Sequence, residues 1–303
     1  MSFLSKISSG VVKSKNMNVL YGERGLGKSW FISAYPNLLL LDIEDGSKNI
    51  PHANRLSAEN LPNYSAILDF LNEFELNDNG FKALGLDSIT SLEKYILKHV
   101  CEEKGITDFT DVPFKVKDLV NAELSNFLNR LKALQDKGYE IWLTGHALTK
   151  KFNDPTLFGQ YDKFTIETSD EKIAKEIIRL SDNVYFVKQD VSVATDKTKK
   201  GKGISDGTVS MFTRWQPAYD AKTRINLPSQ IKFDIDTYLK CVNDNRPKPA
   251  TELYEDIKSL ILKLKPHDAA TAQIAIEKLE AAKNDGSKLQ IIKNKLIEAT
   301  KDL

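Results

Sequence analysis

The chain has 303 residues, of which 41% are hydrophobic and 28% are charged. This composition is typical of a globular protein with a sizeable core, and no apolar run approaches the roughly 20 residues that a membrane-spanning helix needs. The 43 basic and 42 acidic side chains leave a formal net charge of +1. That balance excludes a general electrostatic attraction to nucleic acid or to membranes, so any such binding must be local.

The N-terminal segment, residues 1–18, is rich in Ser and Lys and lacks the apolar stretch of a secretory signal. We therefore expect a cytoplasmic protein without a membrane partner. Residues 19–21 are apolar and lead directly into a Gly-rich turn, after which residues 30–34 suit a helix. This order predicts a strand, a loop and a helix.

Strands and helices continue to alternate farther along the chain. Residues 38–41 and 81–86 are short apolar runs that end in acidic residues, as is typical of buried parallel strands. The apolar positions of residues 67–74 and 120–134 recur at helical spacing, and residues 140–144 (Glu-Ile-Trp-Leu-Thr) predict another strand. The alternation predicts an α/β fold with a mostly parallel sheet.

The C-terminal half is less regular. We interpret the polar stretch that reaches residue 168 as a long loop, and short alternating runs between residues 183 and 233 predict antiparallel edge strands. Residues 246–250, which contain two prolines, predict a linker. We therefore assign residues 1–245 to an α/β core and residues 251–303, with three amphipathic helical patterns, to a small helical module.

The Gly-rich turn reads Gly-Glu-Arg-Gly-Leu-Gly-Lys-Ser over residues 22–29. It fits the pattern G-x-x-x-x-G-K-[ST] in the required place between a strand and a helix, which predicts ATP and Mg²⁺ as cofactors. Such a loop turns backbone N–H groups toward phosphates, Lys28 reaches the β and γ phosphates, and Ser29 offers a hydroxyl to Mg²⁺. The predicted nucleotide-binding residues are Gly22, Glu23, Arg24, Gly25, Leu26, Gly27, Lys28, Ser29 and Trp30.

Acidic residues at strand ends are candidates for the metal and for catalysis. Asp87 ends an apolar run where a carboxylate would face the phosphates, so we predict that it holds Mg²⁺ together with Ser29. The alternative is a helix N-cap formed by Asp87 or by the serine after it. Glu44 ends an earlier run and is a candidate for aligning the attacking water, with Asp42 and Asp45 as competitors.

The order of these motifs resembles that of RecA-type ATPase cores. The matching segments are the P-loop, residues 41–44 (Leu-Asp-Ile-Glu), residues 85–88 (Gly-Leu-Asp-Ser) and residues 144–146 (Thr-Gly-His). Residues 158–162 and 221–228 also look like the phage nucleotide-binding proteins that include the RecA-like branch of the Sak single-strand annealing proteins. The resemblance covers about residues 17–240 and leaves out the helical tail.

The resemblance implies roles for individual residues. Glu44 would be the catalytic base, and His146, where RecA itself has Gln, would sense the γ phosphate and signal to the DNA-binding loop. Lys222 and Arg224 resemble the basic pair that reaches the ATP of a neighbouring subunit. The alternatives are a solvated loop acid for Glu44, a buried structural histidine for His146 and an exposed basic strand end for Lys222 and Arg224.

The resemblance also implies a function. It implies an ATPase of phage recombination, active in the host cytoplasm, that binds single-stranded DNA, promotes annealing or strand pairing, and works as a homo-oligomer. The runner-up is a P-loop loader or accessory ATPase that positions a replication or repair protein. In either case the C-terminal helices are candidates for contacting a single-stranded-DNA-binding protein or another replication partner.

Two basic segments are candidates for DNA contact, because lysines neutralise phosphates and an aromatic ring can stack on a base. The first is Lys150, Lys151 and Phe152, and the second comprises Lys197, Lys199, Lys200 and Lys202. The alternative for both segments is an ordinary charged surface that is exposed to solvent and binds no DNA. The histidines and cysteines show no spacing that indicates zinc.

Overall fold

The computed structural model describes residues 14–77, 79–106, 114–156, 158–195, 201–245, 248–282 and 285–300. The chain divides into two compact units, of which one spans residues 15–245 and the other contains residues 246–303. Within the described ranges, no helix combines the length and the apolar character that crossing a membrane would require.

The first unit alternates strands and helices. Its strands are β1 (Met17–Gly22), β2 (Leu38–Asp42), β3 (Asn54–Ser57), β4 (Ala83–Asp87), β5 (Glu140–Asn153), β6 (Gln160–Ile166), β7 (Asn183–Gln189), β8 (Ser192–Thr195), β9 (Gly201–Ile204), β10 (Val209–Phe212) and β11 (Gln230–Lys232). Its helices are α1 (Lys28–Ser33), α2 (Tyr64–Leu76), α3 (Ile89–Glu103), α4 (Phe114–Asp136), α5 (Glu171–Leu180) and α6 (Ile235–Asn245).

The main sheet has the strand order β11-β10-β7-β1-β5-β4-β2-β3. Pairing is parallel from β7 to β3, while β10 and β11 add antiparallel strands at one edge. The predicted mostly parallel sheet with antiparallel edge strands is confirmed, although β7, expected to be antiparallel, pairs with β1 in parallel. Because chain order reverses around β1, a crevice for a ligand forms at the carboxyl end of this strand.

Strand β1 is buried throughout, and its side chains alternate between the two faces of the sheet. Val19 and Tyr21 contribute to the core on one face, which helices α2 to α5 cover. Leu20 points to the other face, where it belongs to a core with Phe31 of α1 and Tyr238 of α6. Full burial of a large apolar side chain stabilises the fold by about 1.5–3 kcal/mol, so both cores hold the P-loop strand in place.

The long loop predicted up to residue 168 is wrong, because a β-hairpin occupies most of this stretch. Strand β5 continues past the sheet, and its residues 147–153 pair antiparallel with β6. Phe152 and Tyr161 face each other across this ladder with ring centroids 5.4 Å apart, a pair that stabilises a hairpin. The hairpin escaped prediction because it is largely exposed and carries polar residues on both faces.

The second unit consists of α7 (Ala250–Leu264), α8 (Ala269–Ala281) and α9 (Gly286–Ala299). Its core contains one apolar face from each helix, including Ile257, Leu279 and Leu289. Asp268 and Asp285 cap α8 and α9 by accepting hydrogen bonds from backbone N–H groups of the first turn, which satisfies donors that a helix start leaves unpaired. The amphipathic patterns of the sequence thus form a small helical core.

Candidate nucleotide site

The P-loop lies between β1 and α1. Gly25 and Gly27 have φ angles of 78° and 85°, in the left-handed region that glycine adopts at little cost. Helix α1 begins directly afterwards at Lys28. This geometry turns the loop backbone toward the carboxyl end of β1, where phosphate oxygens can accept hydrogen bonds from N–H groups.

Lys28 is buried and folds back over the loop. Its ammonium group donates to the carbonyl oxygens of Gly22 at 3.0 Å and Glu23 at 2.7 Å. Burial lowers the pKa of Lys28, while the carboxylates of Asp87 and Glu44 oppose this shift. Charged phosphate oxygens are stronger acceptors than these carbonyls, so the position of Lys28 suits a triphosphate.

Ser29 and Asp87 meet in front of the P-loop. The Ser29 hydroxyl donates to Asp87 Oδ2, and the Thr144 hydroxyl of β5 donates to Asp87 Oδ1. Burial raises the pKa of Asp87, and the two hydroxyl donors partly offset that shift. The N-cap of α3 is Ser88, whose hydroxyl accepts from Ser91 N at 3.3 Å, so Asp87 is left to face the pocket.

A hydroxyl and a carboxylate at this position suit Mg²⁺, which takes one or two protein oxygens and completes its shell with phosphates and water. Among the residues with described placement, no three His, Cys, Asp or Glu side chains converge in a way that would hold a metal by themselves. The Ser29 and Asp87 pair is therefore a site that would need the phosphates of a nucleotide as additional ligands.

Glu44 lies across the pocket from the P-loop. Its carboxylate accepts from the Ser88 hydroxyl and, at 2.7 Å, from the Ser91 hydroxyl. His146 Nε2 lies 3.6 Å from Glu44 Oε1. His146, with help from the two serine hydroxyls, lowers the pKa of Glu44 to about 2 against the opposing effect of burial. Glu44 is thus held ionised at neutral pH and aimed into the site.

The two competing acids serve other contacts. Asp42 is fully buried and accepts from the backbone N–H groups of Gly46 at 2.9 Å and Ser47 at 2.8 Å, which fixes the turn after β2. Asp45 pairs with Lys48 at 2.8 Å. Of the three acids in this turn, Glu44 is the one that lines the pocket.

His146 lies where β5 leaves the sheet and enters the hairpin. Its Nε2 faces Glu44, whereas its Nδ1 is buried and makes no hydrogen bond within the described part of the chain. Its carbonyl oxygen accepts from Glu167 N at 2.9 Å, and the Glu167 carbonyl accepts from the Thr90 hydroxyl at 3.3 Å. The base of the hairpin is therefore in direct contact with the phosphate pocket.

The cavity of the site has a volume of about 650 Å³, and its lining includes Lys28, Ser29, Glu44, Asp87 and His146. Of the predicted nucleotide-binding residues, Arg24 and Trp30 line it, whereas Leu26 packs against the hydrophobic core and Glu23 contributes its carbonyl to Lys28. Sequence reasoning missed the lining residues Asn49, Ile50, Thr90, Ser91 and Lys94. The last three lie on one turn of α3 directly after Asp87, and their helical spacing was the available signal.

Lys222 and Arg224 do not line this cavity. Lys222 exchanges backbone hydrogen bonds with Val184 of β7, at 2.8 and 2.9 Å. Arg224 Nε lies 3.3 Å from Asp182 Oδ1, and its side chain is 70% exposed. Burial, reinforced by Arg224, lowers the pKa of Lys222. A contact between this pair and ATP would therefore require the P-loop of another copy of the chain.

The first predicted DNA segment lies on the hairpin. Lys150, Lys151 and Phe152 line a groove of about 400 Å³ between the hairpin and α5. Sequence reasoning missed three further cations in it, namely Lys163, Lys175 and Arg179. Of the second segment, Lys197, Lys199 and Lys200 lie outside the described residues, and Lys202 belongs to β9, which pairs with β8.

Comparison with known proteins identifies the family of this chain. The model of the AAA domain family, AAA_24, matches residues 14–225. The chain is similar to the crystal structure of the flagellar accessory protein FlaH from Methanocaldococcus jannaschii, with 11% sequence identity, a TM-score of 0.31, and coverage of 66% of this chain and 77% of FlaH. No curated protein matches the chain. The chain belongs to the AAA domain family, and its first unit is an ATPase domain of the P-loop type.

Proposed function

We propose that the protein binds and hydrolyses ATP with Mg²⁺ and uses this cycle to bind single-stranded DNA and promote annealing or strand pairing in phage recombination. The observation that carries the proposal is the contact between Glu44 and His146, at 3.6 Å, because it joins the phosphate pocket to the base of the basic hairpin. The same proposal places the protein in the cytoplasm of a bacterial host.

The nucleotide half of the proposal rests on the pocket. Lys28 and the P-loop N–H groups would neutralise the β and γ phosphates, and Ser29 and Asp87 would hold Mg²⁺, which offsets charge during phosphoryl transfer. Glu44 is ionised and fixed by two serine hydroxyls. A fixed carboxylate at this place orients a water molecule and accepts its proton.

The DNA half rests on the groove beside the hairpin. Phe152 is 39% exposed, and Lys163 Nζ lies 5.1 Å from the centroid of its ring. Lysines and an exposed aromatic ring together suit a strand whose phosphates are neutralised and whose bases stack without regard to sequence. Acidic partners such as Asp220, which pairs with Lys163 at 2.6 Å, would be exchanged for phosphates on binding.

Coupling between the two halves would run through His146. Occupation of the pocket changes what Glu44 contacts, and His146 is the next residue in line before the hairpin strand begins. The hairpin extends past the end of the main sheet, so it is the element that we expect to move in response. We further propose that the protein works as a homo-oligomer. Lys222 and Arg224 would then contact either the ATP of a neighbouring subunit or bound DNA, and not the P-loop of their own chain.

A second candidate function is a loader or accessory ATPase that positions a replication or repair protein. Large apolar side chains on the outside of the C-terminal helices favour it, since Leu262, Ile274 and Ile291 are 70%, 51% and 57% exposed. Such side chains suit a protein partner, for example a single-stranded-DNA-binding protein. This function would need no affinity of the chain itself for DNA.

The test is the ATPase rate with and without single-stranded DNA at two salt concentrations, together with direct DNA binding and an annealing assay. We expect salt-sensitive binding, stimulated turnover and annealing. A Lys150→Gln, Lys151→Gln double variant should weaken DNA binding, whereas Lys98→Gln, which removes an exposed lysine of α3, serves as the matched control. ATPase activity without DNA binding or stimulation would reject the annealing function and favour the loader.

A further inference from the structure

Trp215 is a large, exposed aromatic residue. It follows β10, its side chain is 55% exposed, and none of the described aromatic rings contacts it. The flat face of an exposed indole can stack on a planar group such as a nucleobase.

The groove that contains Trp215 is lined by cations. Trp215 lines a groove of about 500 Å³ together with Arg214, Lys222 and Arg224, and no acidic residue is among the described residues that line it. The guanidinium of Arg214 is fixed, because Nη2 donates to Asn226 Oδ1 at 3.0 Å and to the Leu227 carbonyl at 3.1 Å. An aromatic face in a groove lined by cations suits a base that carries phosphates.

This groove adjoins the basic groove of the hairpin at Lys222, which lines both. The segment that carries Lys222 is held firmly by two backbone hydrogen bonds to Val184 of β7. One groove contains the exposed ring of Phe152 and the other that of Trp215, and Lys222 lines both. Two adjoining grooves, each with an exposed aromatic ring and several cations, fit a polymer of nucleotides better than a single nucleotide.

We propose that single-stranded DNA bound at the hairpin continues past Lys222 to Trp215, where a base stacks on the indole while Lys222 and Arg224 contact the flanking phosphates. This inference rests on the proposed DNA binding. It gives Lys222 and Arg224 a use different from reaching the ATP of a neighbouring subunit. In one use the pair contacts ATP bound to a neighbouring subunit, and in the other it contacts the phosphates of bound DNA.

The first experiment uses tryptophan fluorescence without ATP. The chain has three tryptophans, of which Trp142 is fully buried and Trp30 lines the nucleotide pocket. Oligo(dT) should quench the wild-type protein, and Trp215→Phe should lose most of this quenching while it keeps most of the affinity, since phenylalanine can still stack. Quenching that persists in Trp215→Phe would overturn the proposal.

The second experiment measures affinity and its salt dependence. Trp215→Ala should weaken oligo(dT) binding about tenfold, as expected for the loss of one stacked base, without changing the salt slope. Lys222→Gln and Arg224→Gln should each reduce that slope by about one, because each removes a phosphate contact. Unchanged affinity of Trp215→Ala would contradict the inference, as would unchanged slopes in the two cation variants.

A mixing experiment tests the competing use. Chains with Lys28→Ala are combined with chains carrying Lys222→Ala and Arg224→Ala, and the ATPase rate is measured. An ATPase rate of the mixture above the rate of either variant alone would show that the basic pair serves a neighbouring P-loop, and it would overturn the DNA path. If the wild-type protein binds no oligo(dT) at all, the proposed function itself fails, an outcome distinct from wild-type binding that is insensitive to Trp215.

Discussion

The Tyr21 hydroxyl donates to the backbone carbonyl of Asp220 at 2.6 Å and accepts from the backbone N–H of the same residue at 3.0 Å. Tyr21 is fully buried and immediately precedes the P-loop. Asp220 also pairs with Lys163 of the hairpin strand β6. One phenol group therefore ties the start of the nucleotide loop to the wall of the basic groove.

Tyr21→Phe removes both hydrogen bonds and leaves two backbone groups of Asp220 without this partner. We expect the free energy of unfolding to fall by about 1–3 kcal/mol, as for other unsatisfied buried groups. We also expect weaker oligo(dT) binding, because the groove wall loses its anchor. Urea denaturation and fluorescence anisotropy measure the two effects.

The matched control for this change is Tyr64→Phe. Tyr64 is buried in α2, and its hydroxyl donates to Glu123 Oε1 at 2.8 Å. Its loss should lower stability by a similar amount and leave DNA affinity as in the wild type. An equal loss of DNA affinity in both variants would mean that the effect is general loosening rather than the Asp220 contact.

Asp87→Asn should separate stability from function. Burial raises the pKa of Asp87, and an acid whose pKa rises on folding costs stability progressively as the pH rises through its unfolded and then its folded pKa. Once the pH exceeds both pKa values that cost is present in full, and asparagine removes it. We expect Tm to stay level or rise while affinity for ATP with Mg²⁺ falls.

Thermal melts with and without ATP and Mg²⁺ check this prediction. The wild type should gain Tm on adding the ligand, because a ligand that binds the folded state stabilises it, and Asp87→Asn should gain much less. A melt of Asp87→Asn well below that of the wild type without ligand would show that the carboxylate is chiefly structural.

His146→Gln should raise the pKa of Glu44, because His146 is the main cause of its low value of about 2. An acid with a lowered pKa stabilises the folded state above its ordinary value of 4.5, and this contribution is lost as the pH falls toward 2. The stability difference between wild type and variant should therefore be present at pH 6 and shrink below pH 4.5. Carbon-detected NMR titration of Glu44 measures the shift directly, and an unmoved pKa would contradict this assignment.

Glu44→Gln should leave ATP binding nearly intact and slow hydrolysis by about 10²–10⁴-fold, the usual contribution of a positioned base. The amide can still accept from Ser88 and Ser91, so the turn should keep its shape. Single-turnover hydrolysis and equilibrium ATP binding distinguish the two quantities. Asp45→Asn in the same turn is the control, since Asp45 faces Lys48 rather than the pocket, and normal turnover of Glu44→Gln would place the base elsewhere.

The sequence predicted those parts of the site that have a strict local pattern. The P-loop fixes residue types at fixed spacing, and Asp87 and Glu44 follow short apolar runs that predict buried strands. Lys163 and Lys175 were missed because their roles depend on where a hairpin and a helix face lie relative to the groove. Such positions follow from tertiary contacts, which periodicity along the chain does not contain.

Strand direction shows the same limit. The apolar run at residues 184–187 predicted a strand, but its parallel pairing with β1 depends on α5, which carries the chain back across the sheet. The hairpin arm of β5 has Lys150 and Lys151 side by side, and a doubly exposed ladder lacks the alternation that identifies a half-buried strand. Its pairing becomes evident only from the cross-strand contacts.

Two glycines of the P-loop should respond differently to alanine. A Cβ on Gly22 would lie 2.3 Å from the Val187 carbonyl oxygen of the neighbouring strand, whereas a Cβ on Gly25 would meet nothing within 4 Å. Gly22→Ala must therefore separate β1 from β7, and we expect a loss of about 3 kcal/mol, the upper end for overpacking. Gly25→Ala pays only for its left-handed backbone, about 1 kcal/mol.

Urea denaturation of both variants measures this difference, and hydrogen exchange of the β7 amides locates it. Exchange should accelerate in Gly22→Ala, because the Val187 carbonyl is part of the strand that must move, and stay close to the wild type in Gly25→Ala. Equal losses of stability would mean that β7 yields easily at this point. In that case the close approach of Gly22 to β7 would not be what fixes the start of the P-loop.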